Sequence, residues 1–289
     1  MTMIAQTASA DKSRLGWLRN RAVTTAVAAS LWPLAGMWLL EASQAGMMAS
    51  VVIFLVLPSI VLALDRPGIV PSALVFSVVV GGVSICWIDD LAARNGQWLV
   101  VDPVPARLPL VDASAQSIFW AVAHFFISVL AWERIMGRTA RRGPNVRRVI
   151  VASGAALAVL AVFLAVRSMV PAWTAVPYFY LYFGTGLILA PVVVTFIRHP
   201  QLLRPLILLG ILGFYWKACY EVAALRNDWW RFPGEFIGWV EVGRYRIPAE
   251  ELVFWILLFS PAIAVFWEFW TGPRETDVTR AAVPGTTVT

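Results

Sequence analysis

Only 17 of the 289 residues are Asp or Glu, and several of these acids gather beside tryptophan. Asp89 and Asp90 precede the run Arg94-Asn95-Gly96-Gln97-Trp98, and Glu221 precedes Arg226-Asn227-Asp228-Trp229-Trp230. Glu250 and Glu251 follow Pro248, with Trp255 shortly after. An acid in apolar surroundings is kept protonated and can act as a general acid. Aromatic faces stabilise a neighbouring cation through cation–π attraction. The combination suits protonation of an isoprenoid alkene followed by ring closure. The candidate catalytic residues are therefore Glu250, Glu251, Glu221, Asp89 and Asp90. The candidate substrate-binding residues are Trp98, Trp230, Arg94, Arg226, Asn95, Asn227, Trp255 and Lys217.

Each feature also has a plainer structural reading. Glu250 and Glu251 behind Pro248 fit the first turn of a helix, where the dipole favours negative charge. Lys217 and Glu221 are four residues apart and share a helix face, so an ion pair between them is expected; it is either functional or simply what makes a lysine tolerable in a membrane. His124, alone in mid-helix, fits a hydrogen-bonded packing residue or a proton carrier. Glu133 and Glu268 lie about 25 Å along a helix from the level of the Pro-Ala-Glu-Glu segment, which places them at the opposite interface. Other chemistries lack their motifs. There is no Gly-rich dinucleotide fingerprint, phosphate loop, His/Cys metal spacing or Asp-rich diphosphate repeat, so neither metal nor cofactor is expected. Cys86 and Cys219 suggest no disulfide framework.

The elements that must position these residues are membrane helices. Hydrophobic residues make up 60% of the chain and charged ones 14%, against roughly 25% charged in a soluble domain. About 20 apolar residues cross a bilayer as a helix, and eight such runs lie near 22–41, 47–64, 69–88, 113–132, 149–167, 175–197, 206–224 and 249–269. They show no two-residue alternation, so an all-α integral membrane protein is expected. With the N-terminus in the cytoplasm, the cytoplasmic segments hold fifteen Lys and Arg, among them Arg134, Arg138, Arg141, Arg142, Arg147 and Arg148, and the opposite side seven. That bias predicts a multi-pass protein of the cell inner (plasma) membrane with both termini cytoplasmic. It also accounts for the net charge of +6. Nucleic-acid binding is not expected, because the basic loop carries no interleaved aromatics.

The chain also repeats itself. Pro58 and Pro67 match Pro191 and Pro200 at an offset of 133 (191 − 58 and 200 − 67). Arg94, Asn95 and Trp98 match Arg226, Asn227 and Trp230 at 132, while Phe119-Trp120 and Trp132-Glu133 match Phe254-Trp255 and Trp267-Glu268 at 135. A near-constant offset predicts a duplicated four-helix unit (4+4), its halves related by a pseudo-two-fold axis along the membrane normal. The expected segments are a cytoplasmic N-terminal stretch 1–21, a first repeat 22–136, a basic linker 137–148, a second repeat 149–270 and a disordered tail 271–289.

The stretch 216–255, Trp216 through RNDWW to IPAEELVFW, resembles the membrane-embedded lycopene cyclase domain of heterodimeric and fused carotenoid cyclases. The resemblance is loose over most of 50–270 and specific over about 40 residues. It implies redox-neutral, proton-initiated cyclisation of a linear isoprenoid or carotenoid end group, with Glu250 and Glu251 as the motif acids. The first half reads Ala113-Ser114-Ala115-Gln116 where the matching glutamates would stand. A divergent cyclase with another terpenoid substrate and a catalytically inactive relative both fit that departure. A small-molecule or lipid transporter or binding protein remains the alternative class. The expected partners are the linear substrate, the lipid bilayer and a homo- or hetero-oligomeric neighbour.

Overall fold

A computed structural model describes residues 30–43, 45–101, 107–137 and 145–271. Helix α1 covers 30–43. It is followed by α2 (Met47–Asp65), α3 (Pro67–Arg94), α4 (Ala115–Ile135), α5 (Val146–Met169), α6 (Phe179–Arg198), α7 (Pro200–Arg226) and α8 (Glu251–Thr271). These last seven are long and apolar enough to cross a membrane. The start of the expected first span, the 1–21 segment, residues 138–144 of the basic linker and the tail from 272 lie outside the described residues. Helices α3 and α7 outrun the apolar stretches that mark them, because the backbone ladder continues through polar turns that hydropathy does not register.

Four helices contain a widened π-helical segment: Val52–Val56, Ser77–Gly82, Gly184–Leu189 and Glu251–Leu258. Three of these lie just before Pro58, Pro191 and Pro261. Proline has no N–H to give and its ring crowds the carbonyl four residues back, so the ladder loosens there. In lipid the freed carbonyls need other donors. Trp216 Nε1 serves the Phe54 carbonyl at 2.8 Å, and Trp32 Nε1 the Ile53 carbonyl at 2.9 Å.

Helices α4 and α8 form the centre of the bundle, while α5 lies at its edge, with only Phe163 buried. Gly81 and Gly184 let neighbours come close. A Cβ on Gly184 would fall 2.1 Å from the Phe254 ring, and one on Gly81 2.8 Å from that of Phe125. Where α4 and α8 cross, Ser128 Oγ donates to Ser260 Oγ at 3.0 Å. At one end of this seam Trp132 Nε1 donates to Glu268 at 2.6 Å and Trp267 Nε1 to Glu133 at 2.8 Å.

The other end carries two short antiparallel ladders that the hydropathy pattern did not predict. Strand β1 (Leu99–Val100) pairs with β2 (Trp230–Arg231), Leu99 opposite Arg231 and Val100 opposite Trp230. Strands β3 (Trp239–Val242) and β4 (Tyr245–Pro248) form a hairpin whose turn is made by Gly243 at φ +61°. Two-residue strands are too short to show alternation, and β1 and β2 meet across more than a hundred residues of sequence. Pro248, expected in the first turn of a helix, instead ends β4 opposite Trp239.

Candidate functional site

Two carboxylates hold tryptophan N–H groups in the same way. Asp89, near the end of α3, accepts from Trp98 Nε1 at 2.8 Å, and Glu221, near the end of α7, accepts from Trp230 Nε1 at 2.9 Å. In each case the tryptophan lies nine residues on, where a helix end and a tight turn fold it back over the acid. Asn95 and Asn227 close those helix ends, their amides donating to the Leu91 and Ala223 carbonyls at 2.7 and 2.8 Å. Asn95 also receives Val176 N–H at 2.6 Å, tying α3 to the segment before α6. In the second turn Asp228 takes φ +53°, and the Arg231 guanidinium beside it holds its carboxyl below the usual carboxylate range.

Glu251 opens α8 with its carboxylate accepting from the Tyr180 hydroxyl. Glu251 and Asp89 both line a cavity of about 70 Å³ walled by Trp98, Trp120, Trp230, Trp255 and Tyr180, with Met47, Ile85, Val100, Ser117 and Phe232 completing it. Trp255 is the hub of this wall: its ring centroid lies 5.6 Å from Trp98, 5.7 Å from Trp120 and 4.2 Å from Phe259. Its buried Nε1–H finds no acceptor among the described residues. The cavity therefore combines two acids with several aromatic faces, which is what proton delivery to an apolar molecule and shelter of a cation require.

The other candidates fall outside this wall. Glu250, also buried, turns away and accepts from Ile237 N–H at 2.7 Å. Asp90 is fully buried in an ionic cluster, bound by Arg94 of its own helix, by Arg167 of α5 at 2.7 Å and by Asp112 N–H at 2.6 Å. Arg226 pairs with Glu41 at 2.5 Å. The expected Lys217–Glu221 ion pair does not form. Glu221 is engaged by Trp230, and the Lys217 ammonium donates to the Trp255 carbonyl at 2.8 Å, 5.2 Å from the centre of the Phe259 ring. The widened first turns of α8 bring that carbonyl to α7. His124 lies buried between Trp120 and Phe259, its Nδ1 without a partner among the described residues.

Tyr180, Trp120, Ser117 and Phe232 line the site without having been singled out as candidates. Trp120 was recoverable, since Phe119-Trp120 recurs as Phe254-Trp255 at an offset of 135. Tyr180 and Phe232 sit in apolar or loop sequence that carries no such mark. Comparison with protein-family profiles, with curated proteins and with solved structures gives no match.

Proposed function

We propose that the chain is a membrane terpenoid or carotenoid cyclase, similar to lycopene cyclase domains, in which Glu251 is the acid. The observation that carries this reading is the pair of buried carboxylates, Glu251 and Asp89, on the wall of one aromatic cavity. Glu251 gives its proton to the terminal alkene, whose π electrons form the new C–H bond and leave a tertiary cation. A second alkene of the same chain attacks that cation and closes the ring. The resulting cation loses a proton to a carboxylate, so no electrons are exchanged with a cofactor. Trp98, Trp120 and Trp255 present the faces that stabilise the cationic stages. A cavity of about 70 Å³ is small beside the roughly 300 Å³ or more of ordinary ligand sites, so the reading requires the wall to open for the substrate.

The same proposal includes the 4+4 duplication. Its support is the recurrence of specific contacts at the offset of the sequence repeat: Asp89–Trp98 with Glu221–Trp230, Asn95–Leu91 with Asn227–Ala223, and Trp132–Glu268 with Trp267–Glu133. The cavity takes walls from both halves, as a site on a pseudo-two-fold axis does. The arginine bias favours a plasma-membrane protein with cytoplasmic termini, which puts the cavity toward the non-cytoplasmic leaflet. A transport path through Lys217, Glu221, Asp89 and His124 is less well supported, since Lys217 and His124 do not reach the cavity wall.

The test is pigment analysis of a lycopene-producing host with and without the full chain. Cyclic carotenoid is expected with the wild type and none with Glu251→Gln, at equal membrane abundance. Cyclic product from Glu251→Gln at the wild-type level would remove this acid from the mechanism.

A further inference from the structure

The residues beside the hairpin form a second feature, separate from the aromatic cavity. A groove of about 550 Å³ lies between the last turns of α7 (Val222, Arg226), Glu41 of α1 and the hairpin tip Val242–Tyr245. Below it, α1 presents an exposed apolar stripe: Leu31, Leu34 and Trp38 are 57%, 46% and 69% exposed. Their spacing of three and four residues puts them on one helix face, and Glu41 continues that face into the groove. The hairpin is itself unusual for a water-exposed ladder. All four residues of β3 are exposed, Trp239, Val240 and Val242 among them, and tryptophan with basic residues is the composition found at the headgroup level of a bilayer.

The charges of the groove and of the adjoining hairpin are unequally matched. Arg226 is neutralised by Glu41, and Arg246, stacked 4.9 Å over Trp239, faces Glu241 across the ladder. Arg244 has no ion pair among the described residues. It lies 5.1 Å over the Tyr245 ring and donates its Nε–H to the Tyr245 hydroxyl at 2.9 Å. That pose fixes the planar guanidinium and leaves its terminal N–H groups for two oxygens of one phosphate.

We propose that this groove binds the headgroup of an anionic phospholipid at Arg244, with an acyl chain lying along Leu31, Leu34 and Trp38. An anionic headgroup adds negative charge beside an unmatched guanidinium, whereas the choline of a zwitterionic lipid brings a second cation toward it. This site is independent of the cyclase reading, because none of its residues lines the aromatic cavity.

The experiment is native mass spectrometry of the detergent-purified full chain with phosphatidylglycerol and phosphatidylcholine of identical chains. Phosphatidylglycerol should bind about fivefold more tightly, the worth of one basic residue at a membrane surface, and Arg244→Gln should bring the two lipids to parity. Trp38→Ser should weaken both lipids alike. Arg244 and Trp38 are exposed, so the variants keep the fold, which an unchanged unfolding midpoint verifies. Equal binding of the two lipids by the wild type, or an undiminished preference in Arg244→Gln, overturns the proposal. Displacement of bound lipid by glycerol 3-phosphate at comparable concentration would also overturn it, by making the groove a site for free phosphate.

Discussion

Glu250 and Glu251 are neighbours in the chain, yet Glu251 faces the cavity and Tyr180 while Glu250 holds the Ile237 amide of the preceding loop. That division predicts different outcomes for the same substitutions. Glu250→Gln keeps a carbonyl oxygen able to accept the Ile237 N–H, so its thermal midpoint in detergent should match the wild type. Glu250→Ala leaves that amide without its acceptor and should lose roughly 1 kcal/mol. A Glu250→Gln variant as unstable as Glu250→Ala would show that charge rather than the hydrogen bond fastens the loop. The neighbouring Asp90 gives a second contrast. Asp90→Asn leaves Arg94 and Arg167 facing an amide, so about 2 kcal/mol of stability should be lost, read as a lower unfolding midpoint, with the Glu251–Tyr180 contact untouched. Part of this was legible in residue order: the gathering of acids near tryptophan was visible, and Glu251 and Asp89 were among the five acids singled out, but nothing in the order separated Glu251 from Glu250 or Asp89 from Asp90. The fate of Lys217 was not legible either. The four-residue rule places it beside Glu221, but that rule cannot see that Trp230 returns from a loop to take the carboxylate.

Among the helices, proline and glycine decide where backbones loosen and where they touch. The long apolar runs made the spans readable, because lipid demands continuous hydrogen-bonded apolar segments. The ladders escaped notice because β1–β2 pairing depends on contacts far apart in sequence. Two glycines two residues apart in α6 test the packing side. Gly184 faces the Phe254 ring so closely that any Cβ forces movement, while a Cβ on Gly186 would meet nothing within 4 Å. Gly184→Ala should cost about 1–3 kcal/mol through overpacking. Gly186→Ala, which adds helix propensity without a clash, should be neutral or gain up to about 1 kcal/mol. Equal effects of the two in thermal unfolding would mean that α6 and α8 do not pack through Gly184.

At the scale of the molecule, the proposed halves are joined by contacts that run both ways across one seam. Trp132 reaches Glu268 and Trp267 reaches Glu133, Ser128 meets Ser260 midway, and β1 pairs with β2 at the far end. Each bond runs from a buried indole N–H to a carboxylate, buried at Glu133 and half-buried at Glu268, a class worth roughly 1.5–3 kcal/mol. If the halves are two copies of one unit, the covalent link between them is a tether and not part of the packing. A chain cut within 138–144 and expressed as two pieces should then assemble in the membrane and copurify through a tag on either piece. Trp132→Phe or Trp267→Phe alone should weaken that association, and the two together should lower it by roughly a hundredfold or more, as two such bonds imply. The same pair in the uncut chain should only lower the unfolding midpoint, because the tether keeps the halves at high effective concentration. Pieces that fail to copurify without any substitution would mean that the four-helix units do not fold and recognise one another as the duplication requires.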